Sequence, residues 1–296
     1  MAFLALVALI LVPPYWFLAW LRGVPGLQVR WKCVRLGLRL LFRRQAPIDL
    51  KTILILILYP LDSTRHFELD FAWQALAGAP AGKYLDVSSP RVFFTLLLLE
   101  QPGMTADLIN PDKADLSETE KSLAAAGLLA RCRLHGCLME EAPLTPATYD
   151  VITCISVVEH IPQDREAIQK MWELLKPGGR LLLTVPCAAQ TSEQYIDRDE
   201  FGVQKPGDDG HVFMQRFYDP VLLREHIFAI TGPPRKQAIF GERAPGLFLR
   251  MATRKRNDRY YPFWREPYMT AMEYTTFDSL EALPGEGAIA MEFVKS

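Results

Sequence analysis

The sequence predicts an α/β fold built on a largely parallel sheet, preceded by a hydrophobic N-terminal segment. Three observations carry this. The runs at residues 149–155 and 180–185 are continuously apolar, as parallel strands covered on both faces are. Between them, residues 163–175 place Ile168, Met171, Trp172 and Leu175 at three- and four-residue steps, with Arg165, Gln169 and Glu173 largely opposite. That spacing is an amphipathic helix, and Lys176-Pro177-Gly178-Gly179 ends it, because proline cannot continue a helix and glycine tolerates the turn. The third observation is that residues 2–21 contain no charged side chain.

Length and composition bound the rest. At 296 residues and 50% hydrophobic, the chain supports one large core plus appendages, not two full catalytic domains. A formal net charge of −1 implies no bulk attraction to nucleic acid, which is not predicted as a partner. Cys33, Cys132, Cys137, Cys154 and Cys187 form no CxxC pair and no zinc spacing, so they read as reduced thiols, and no metal site is predicted.

Three regions follow in order. Residues 1–21 are long enough to cross a bilayer core and carry Tyr15, Trp16 and Trp20 where an aromatic belt is expected. No basic n-region or small-residue cleavage site marks a signal peptide. Pro13-Pro14 removes two helix donors, so a transmembrane span and a re-entrant insertion both stay open. Residues 22–46 hold Arg22, Arg30, Lys32, Arg35, Arg39, Arg43 and Arg44, and four of these recur at helical steps away from Val34, Leu38, Leu41 and Phe42. Such a helix suits an anionic membrane surface, and its charge places this end inside; packing against the core is the alternative. Residues 52–59 are too short to span and read as a helix turn or a strand. Residues 47–296 form the main domain, entered by a helix over residues 65–73.

Within that domain, residues 149–186, YDVITCISVVEHIPQDREAIQKMWELLKPGGRLLLTVP, resemble the class I S-adenosylmethionine-dependent methyltransferases. In that family the pattern marks the fourth and fifth strands of a seven-stranded Rossmann-like sheet. The resemblance implies that Lys83–Val87 is the first strand and that Asp86 leads into a cofactor-binding turn normally rich in glycine. Glycine would let the backbone approach the cofactor's methionine part without a Cβ clash. Here the turn reads Asp86-Val87-Ser88-Ser89-Pro90-Arg91-Val92. Either the Ser88 and Ser89 hydroxyls replace the lost amide contacts, or the cofactor site is degraded. By the same resemblance, residues 103–107 are the second strand and Asp107 grips the ribose hydroxyls, with a helix following at 116–129. Strand three ends near Leu138-Met139, where Met139 or Glu140 meets the adenine, and Ser156 lines the methionine side.

A hydroxyl acceptor must lose a proton, which suits a histidine. His160, in the Glu159-His160 pair, and His211, in Asp208-Asp209-Gly210-His211-Val212-Phe213, are the candidates. The latter segment resembles one that approaches the acceptor in O-methyltransferases, so His211 is preferred, and His160 reads equally as a helix-capping residue. Residues 218–228 suit a helix with Asp219 as N-cap and Pro220 at its first position. Residues 236–240 and Gly287–Val294 read as strands six and seven. The aromatic-rich insertion at about 244–284 between them suits an acceptor pocket, a membrane contact or plain packing.

The expectation is therefore a membrane-anchored methyltransferase using S-adenosylmethionine, its catalytic domain cytoplasmic. Its expected partners are the lipid bilayer, a hydrophobic or lipid-linked acceptor (small molecule or glycan, methylated on oxygen) and a membrane complex. The alternative is a non-catalytic methyltransferase-like subunit or assembly factor.

Overall fold

The computed structural model describes the chain except at residues 1, 77–81, 198, 200, 201, 203, 205, 208, 209, 259 and 260, together with the side chains of 2–6, 8 and 9. Four helices come first: α1 (Ala2–Leu21), α2 (Leu27–Arg43), α3 (Leu50–Leu58) and α4 (Arg65–Leu76). The parallel half of the sheet follows as β1 (Lys83–Val87), α5 (Arg91–Glu100), β2 (Thr105–Ile109), α6 (Lys113–Ala126), β3 (Cys132–His135), β4 (Tyr149–Ile155), α7 (Asp164–Leu174) and β5 (Leu175–Cys187). A hairpin of β6 (Ser192–Ile196) and β7 (Val212–Phe217) stands apart from the sheet. Then come α8 (Pro220–Leu222), a π-helical stretch Leu223–Phe228, α9 (Ala229–Thr231), β8 (Lys236–Glu242), α10 (Leu247–Asn257), α11 (Glu266–Glu273), β9 (Tyr274–Phe277) and β10 (Gly287–Val294).

The main sheet runs β3-β2-β1-β4-β5-β10-β8-β9. Strands β1 to β5 pair in parallel, and β10 enters antiparallel between β5 and β8. This is the expected seven-stranded Rossmann-like arrangement with one addition: β9, from the insertion, pairs with β8 and makes the sheet eight-stranded. Successive strand residues feed opposite cores. Leu85, Ile152, Leu181 and Leu183 pack with α7 on one face, while Tyr84, Val151, Ile155 and Leu182 pack with α2 and α5 on the other.

Strand boundaries differ from expectation at β5, which already begins at Leu175 and takes in the predicted Lys176-Pro177-Gly178-Gly179 turn, and at β2 and β3. Strand β2 begins at Thr105 and extends through Leu108-Ile109, so Asp107 is its middle residue, not its end. Strand β3 ends at His135, short of Leu138-Met139. In β2 the apolar pair continues the buried ladder, and Pro111, which has no N–H to donate, stands just beyond it.

The N-terminal helices pack on the domain. Helix α2 buries Val29, Cys33, Leu36 and Leu40 in the core, so its inner face is structural. Arg30 is buried with it and donates to the Leu58 carbonyl at 2.8 Å. Residues 52–59 resolve as helix, and α3 crosses α2 so closely that a Cβ at Gly37 would lie 2.7 Å from Ile57 Cγ1. Helix α1 runs through Pro13-Pro14, and its second half rests on the insertion. Tyr15 and Tyr268 have ring centroids 6.1 Å apart, and Val12 and Trp16 cluster with Phe263 and Trp264. Among the described residues no helix is long and apolar enough to cross a membrane, so the predicted N-terminal span gains no support from the fold.

Candidate active site

The carboxyl ends of β1, β2 and β4 open into a cavity of about 620 Å³, the usual place for a ligand in an open α/β sheet. Each strand contributes its following loop. After β1, Ser88 adopts a φ of 50°, the left-handed conformation usually left to glycine. Its amide and hydroxyl both donate to the Ile109 carbonyl, at 2.9 and 3.0 Å. Ser89 donates its amide to Asp86 Oδ1 at 2.9 Å and accepts from the Ile155 amide at 3.1 Å. The glycine-poor turn is thus rebuilt by internal hydrogen bonds, which tie β1 to β2 and β4.

Asp86 is the buried post of that turn, bonded by Tyr84 at 2.7 Å and Thr153 at 2.6 Å. Burial raises its pKa, and the Thr153, Tyr84 and Ser89 bonds oppose that rise without cancelling it. Asp86 and Ser89 do not line the cavity, whereas Ser88 does.

Asp107 also stays out of the cavity. It is buried between β2 and its neighbours, accepting from His135 Nε2 and the Tyr149 hydroxyl, each at 2.9 Å, with Lys83 Nζ at 3.3 Å. Burial pushes its carboxyl up, but the His135, Tyr149 and Lys83 contacts outweigh that and leave it below the usual range. The residue that reaches the cavity at the end of β2 is Asn110. Its Oδ1 accepts from the Asp112 amide and its Nδ2 donates to Asp115, each at 2.9 Å. Asp112 then caps α6 by accepting from the amides of Ala114 and Asp115. Asn110 was missed in the sequence; the proline that follows it, which ends the strand, is the signal that could have found it.

On the opposite side Met139 and Glu140 line the cavity, as does Ser156 after β4. Ser156, with a φ of 53°, donates to Glu159 Oε1 at 2.6 Å. Glu159 is fully buried, its other oxygen has no hydrogen-bond partner, and burial raises its pKa. His160 lines the cavity as well. Its Nδ1 lies 2.6 Å from the Met214 carbonyl, which can only accept, so the neutral ring carries its proton on Nδ1. Its Nε2 lies 3.8 Å from Glu159 Oε1.

Beside this cavity lies a smaller chamber of about 150 Å³, sharing Arg65, Ser156 and His160 as a common wall. Phe217, Phe248 and Tyr274 make its apolar side, the last two from the insertion. Beneath the His160 loop, Asp164 is a buried hub: Tyr218 donates to it at 2.6 Å, Arg216 at 2.7 Å and His226 approaches at 2.9 Å. Arg216 also holds the Pro162 carbonyl at 3.0 Å, which pins that loop.

His211 lies elsewhere. It lines neither chamber, is 47% exposed, and pairs with Asp197 at 3.3 Å. Its neighbours Asp208 and Asp209 lie outside the described residues. No cluster of three or more metal-ligating side chains occurs among the described residues. Arg65 and Gln204 also line the main cavity; Gln204 has no motif that marks it in the sequence, whereas Arg65 opens the segment 65–73, which resembles the lead-in of some bacterial methyltransferases.

The lining suits S-adenosylmethionine. The volume is right for a ligand of that size, Asn110 and Asp112 offer oxygens where the ribose would lie, and Met139 gives an apolar surface for a base. The loop after β1 offers less to a carboxylate than a glycine-rich turn, since the Ser88 and Ser89 amides are already engaged.

Comparison with known proteins agrees with this architecture. Residues 91–181 match a family described as a methyltransferase domain. The chain is 32% identical over 89 residues to the mitochondrial ubiquinone biosynthesis O-methyltransferase of Schizosaccharomyces pombe, a stretch covering 23% of this chain and 32% of that protein. It is 46% identical over 39 residues to the ubiquinone biosynthesis O-methyltransferase of Leptothrix cholodnii, covering 13% of this chain and 17% of that one. The chain thus spans less than a third of the length of these curated relatives. In three dimensions it is similar to a geranyl diphosphate methyltransferase solved with SAM, with a TM-score of 0.53 at 11% identity, covering 84% of this chain and 92% of that one. A geranyl diphosphate C-methyltransferase from Streptomyces coelicolor superposes with a TM-score of 0.51 at 10% identity, covering 86% and 88%. At such identities the likeness is one of fold.

Proposed function

We infer that this chain, which carries a class I S-adenosylmethionine-dependent methyltransferase domain, methylates a hydroxyl of a hydrophobic or lipid-linked acceptor. The observation that carries the reading is the pair of adjoining chambers with His160 in their shared wall. Bound S-adenosylmethionine would supply a methyl group on a sulfonium, ready for in-line displacement. The chain's own contribution is alignment and proton handling. Asn110, Asp112, Met139 and Ser156 would hold the cofactor in the larger chamber. The smaller one, walled by Phe217, Phe248 and Tyr274, would seat the acceptor. His160, its Nδ1 held on the Met214 carbonyl, stands in the wall that both chambers share, where an imidazole would meet the acceptor proton. The ubiquinone O-methyltransferases among the relatives favour an oxygen acceptor and a quinone-like substrate. His211 keeps a part in this reading only by approaching the acceptor from outside the two chambers.

Attachment to a membrane, with the domain on the cytoplasmic side, belongs to the same proposal. Exposed Ile10, Phe17, Trp20 and Leu21 on α1, with Trp31 and Phe42 on α2, support it. A membrane-complex partner would use the same face.

The test is calorimetric titration of the full chain with S-adenosylhomocysteine, alongside Asn110→Ala and Asp107→Ala. Binding is expected, weakened about tenfold by Asn110→Ala, the equivalent of one hydrogen bond. Asp107→Ala should leave affinity unchanged while lowering stability by about 3 kcal/mol, because it strips a buried ionic contact. A folded chain that binds no S-adenosylhomocysteine would overturn the enzyme reading. The spent amides of Ser88 and Ser89 would then mark a scaffold that has lost its cofactor.

A further inference from the structure

Between α2 and α5 runs a groove of about 840 Å³, away from both chambers. Arg35, Arg39 and Arg43 line it in a single row, one helical turn apart on α2. No hydrogen bond or ion pair engages any of the three among the described residues. Lys32, at the head of the row, is already used: it pairs with Glu100 at 2.9 Å and lies over the Trp73 ring at 4.7 Å. Glu100 is the single carboxylate in the lining, and α2 itself contains no acidic residue.

Three like charges stacked on successive turns repel one another, and no carboxylate pairs with them among the described residues. Half-buried Leu99 of α5 contributes an apolar edge to the groove, and Leu38 and Phe42 stand exposed beside the arginines. A row of cations beside exposed apolar side chains is complementary to an amphiphile with an anionic head. We propose that this groove binds the phosphate head group of an anionic phospholipid in a membrane surface, its acyl chain lying along Leu38 and Leu99. Phe42, 77% exposed, would enter the interface beside it. The proposal deepens the membrane reading above by naming its partner, and it stands on α2 and α5, not on α1.

Co-sedimentation of the full chain with vesicles tests it. One set is pure phosphatidylcholine and the other phosphatidylcholine doped with phosphatidylglycerol. The R35Q/R39Q/R43Q variant is compared with R250Q/R254Q/R256Q, which removes equal charge from exposed positions on α10. Melting temperatures establish that both variants fold. Wild-type chain should partition preferentially onto the anionic vesicles, and the α2 variant should lose about 100-fold of that partition. The α10 variant should lose far less. Equal losses in the two variants would overturn the groove in favour of diffuse charge. Equal binding of wild type to both vesicle types would leave the membrane reading standing and remove the groove from it. Binding to neither would remove both. Titration with inorganic phosphate and with a short DNA duplex completes the experiment: binding of either through the three arginines would reassign the groove to a soluble ligand.

Discussion

Asp107 lies three positions before Asn110, and that offset decides which of them meets the cavity. Both were visible in the sequence, but the acidic residue matched the family's ribose ligand and drew the assignment. The strand runs two residues further because Leu108 and Ile109 are needed by the two cores, and Asp107 is left among His135, Tyr149 and Lys83. Ser88 is another case: serine in place of glycine looked like damage, yet the chain accepts φ of 50° there because amide and hydroxyl together hold the Ile109 carbonyl. Such compensation depends on a partner on another strand, so no local pattern reveals it. Asp164 carries a prediction of its own. Burial raises its carboxyl pKa, but bonds from Arg216, Tyr218 and His226 more than reverse that, so the folded value lies below the usual 3.8. A depressed pKa of this kind adds stability above the unfolded value, and that stability is lost as pH falls through the folded one. Asp164→Asn should therefore cost about 3 kcal/mol at neutral pH, by leaving Arg216 buried without its carboxylate. The cost should shrink below about pH 4, where wild type loses the same contact. Urea titrations of both proteins across that range would show it; a cost independent of pH would assign Asp164 a purely steric role.

At the scale of elements, β4 and α7 were legible almost to the residue, because a buried run and a helical stripe agree with one another, whereas Lys176-Pro177-Gly178-Gly179, expected as the turn after the helix, lies inside β5. The N-terminal helices were less so. Helix α2 shows a basic face and an apolar face in sequence, but only packing reveals that the apolar one is divided between the core and an exposed strip at Leu38, Leu41 and Phe42. The short apolar run at 52–59 could not be assigned by periodicity and became a helix because Gly37 lets α3 settle against α2. Gly26 does similar work at the other end of α2. It has a φ of 75°, and a Cβ there would collide with the His66 carbonyl in the first turn of α4. The next residue back, Arg65, lines both chambers. Gly26→Ala is thus expected to lower stability by about 2 kcal/mol through overpacking and to weaken S-adenosylhomocysteine binding as Arg65 shifts. Denaturant midpoints and calorimetry on one preparation separate the two effects. Unchanged values of both would mean that α2 and α4 yield independently.

Across the whole molecule, the sequence pointed to a seven-stranded sheet and an appended hydrophobic segment, and it was silent on how the appendages meet. Helix α1 and the insertion lie far apart in the chain, and their meeting, Tyr15 with Tyr268 and the packing of Trp16, Phe263 and Trp264 around Val12 and Leu58, has no local signature. The eighth strand was hidden for the same reason, since β9 is short and its partner β8 lies on the far side of α10 and α11. The placement of β10 bears on how the chain folds. It follows β8 and β9 in sequence but lies between β8 and β5, so these two earlier strands have no sheet to join until it arrives. The parallel half can assemble from neighbouring segments, whereas the other half waits on contacts of long sequence separation, which form slowly. Pulsed hydrogen exchange during refolding should find β1, β4 and β5 amides protected before those of β8 and β9, and simultaneous protection would mean that the sheet closes in one step. In the interval the edge of β5 stands open, and a chain delayed there exposes an unpaired apolar strand to its neighbours. Kinetic competition between intramolecular closure and self-association would then set how much active protein is recovered.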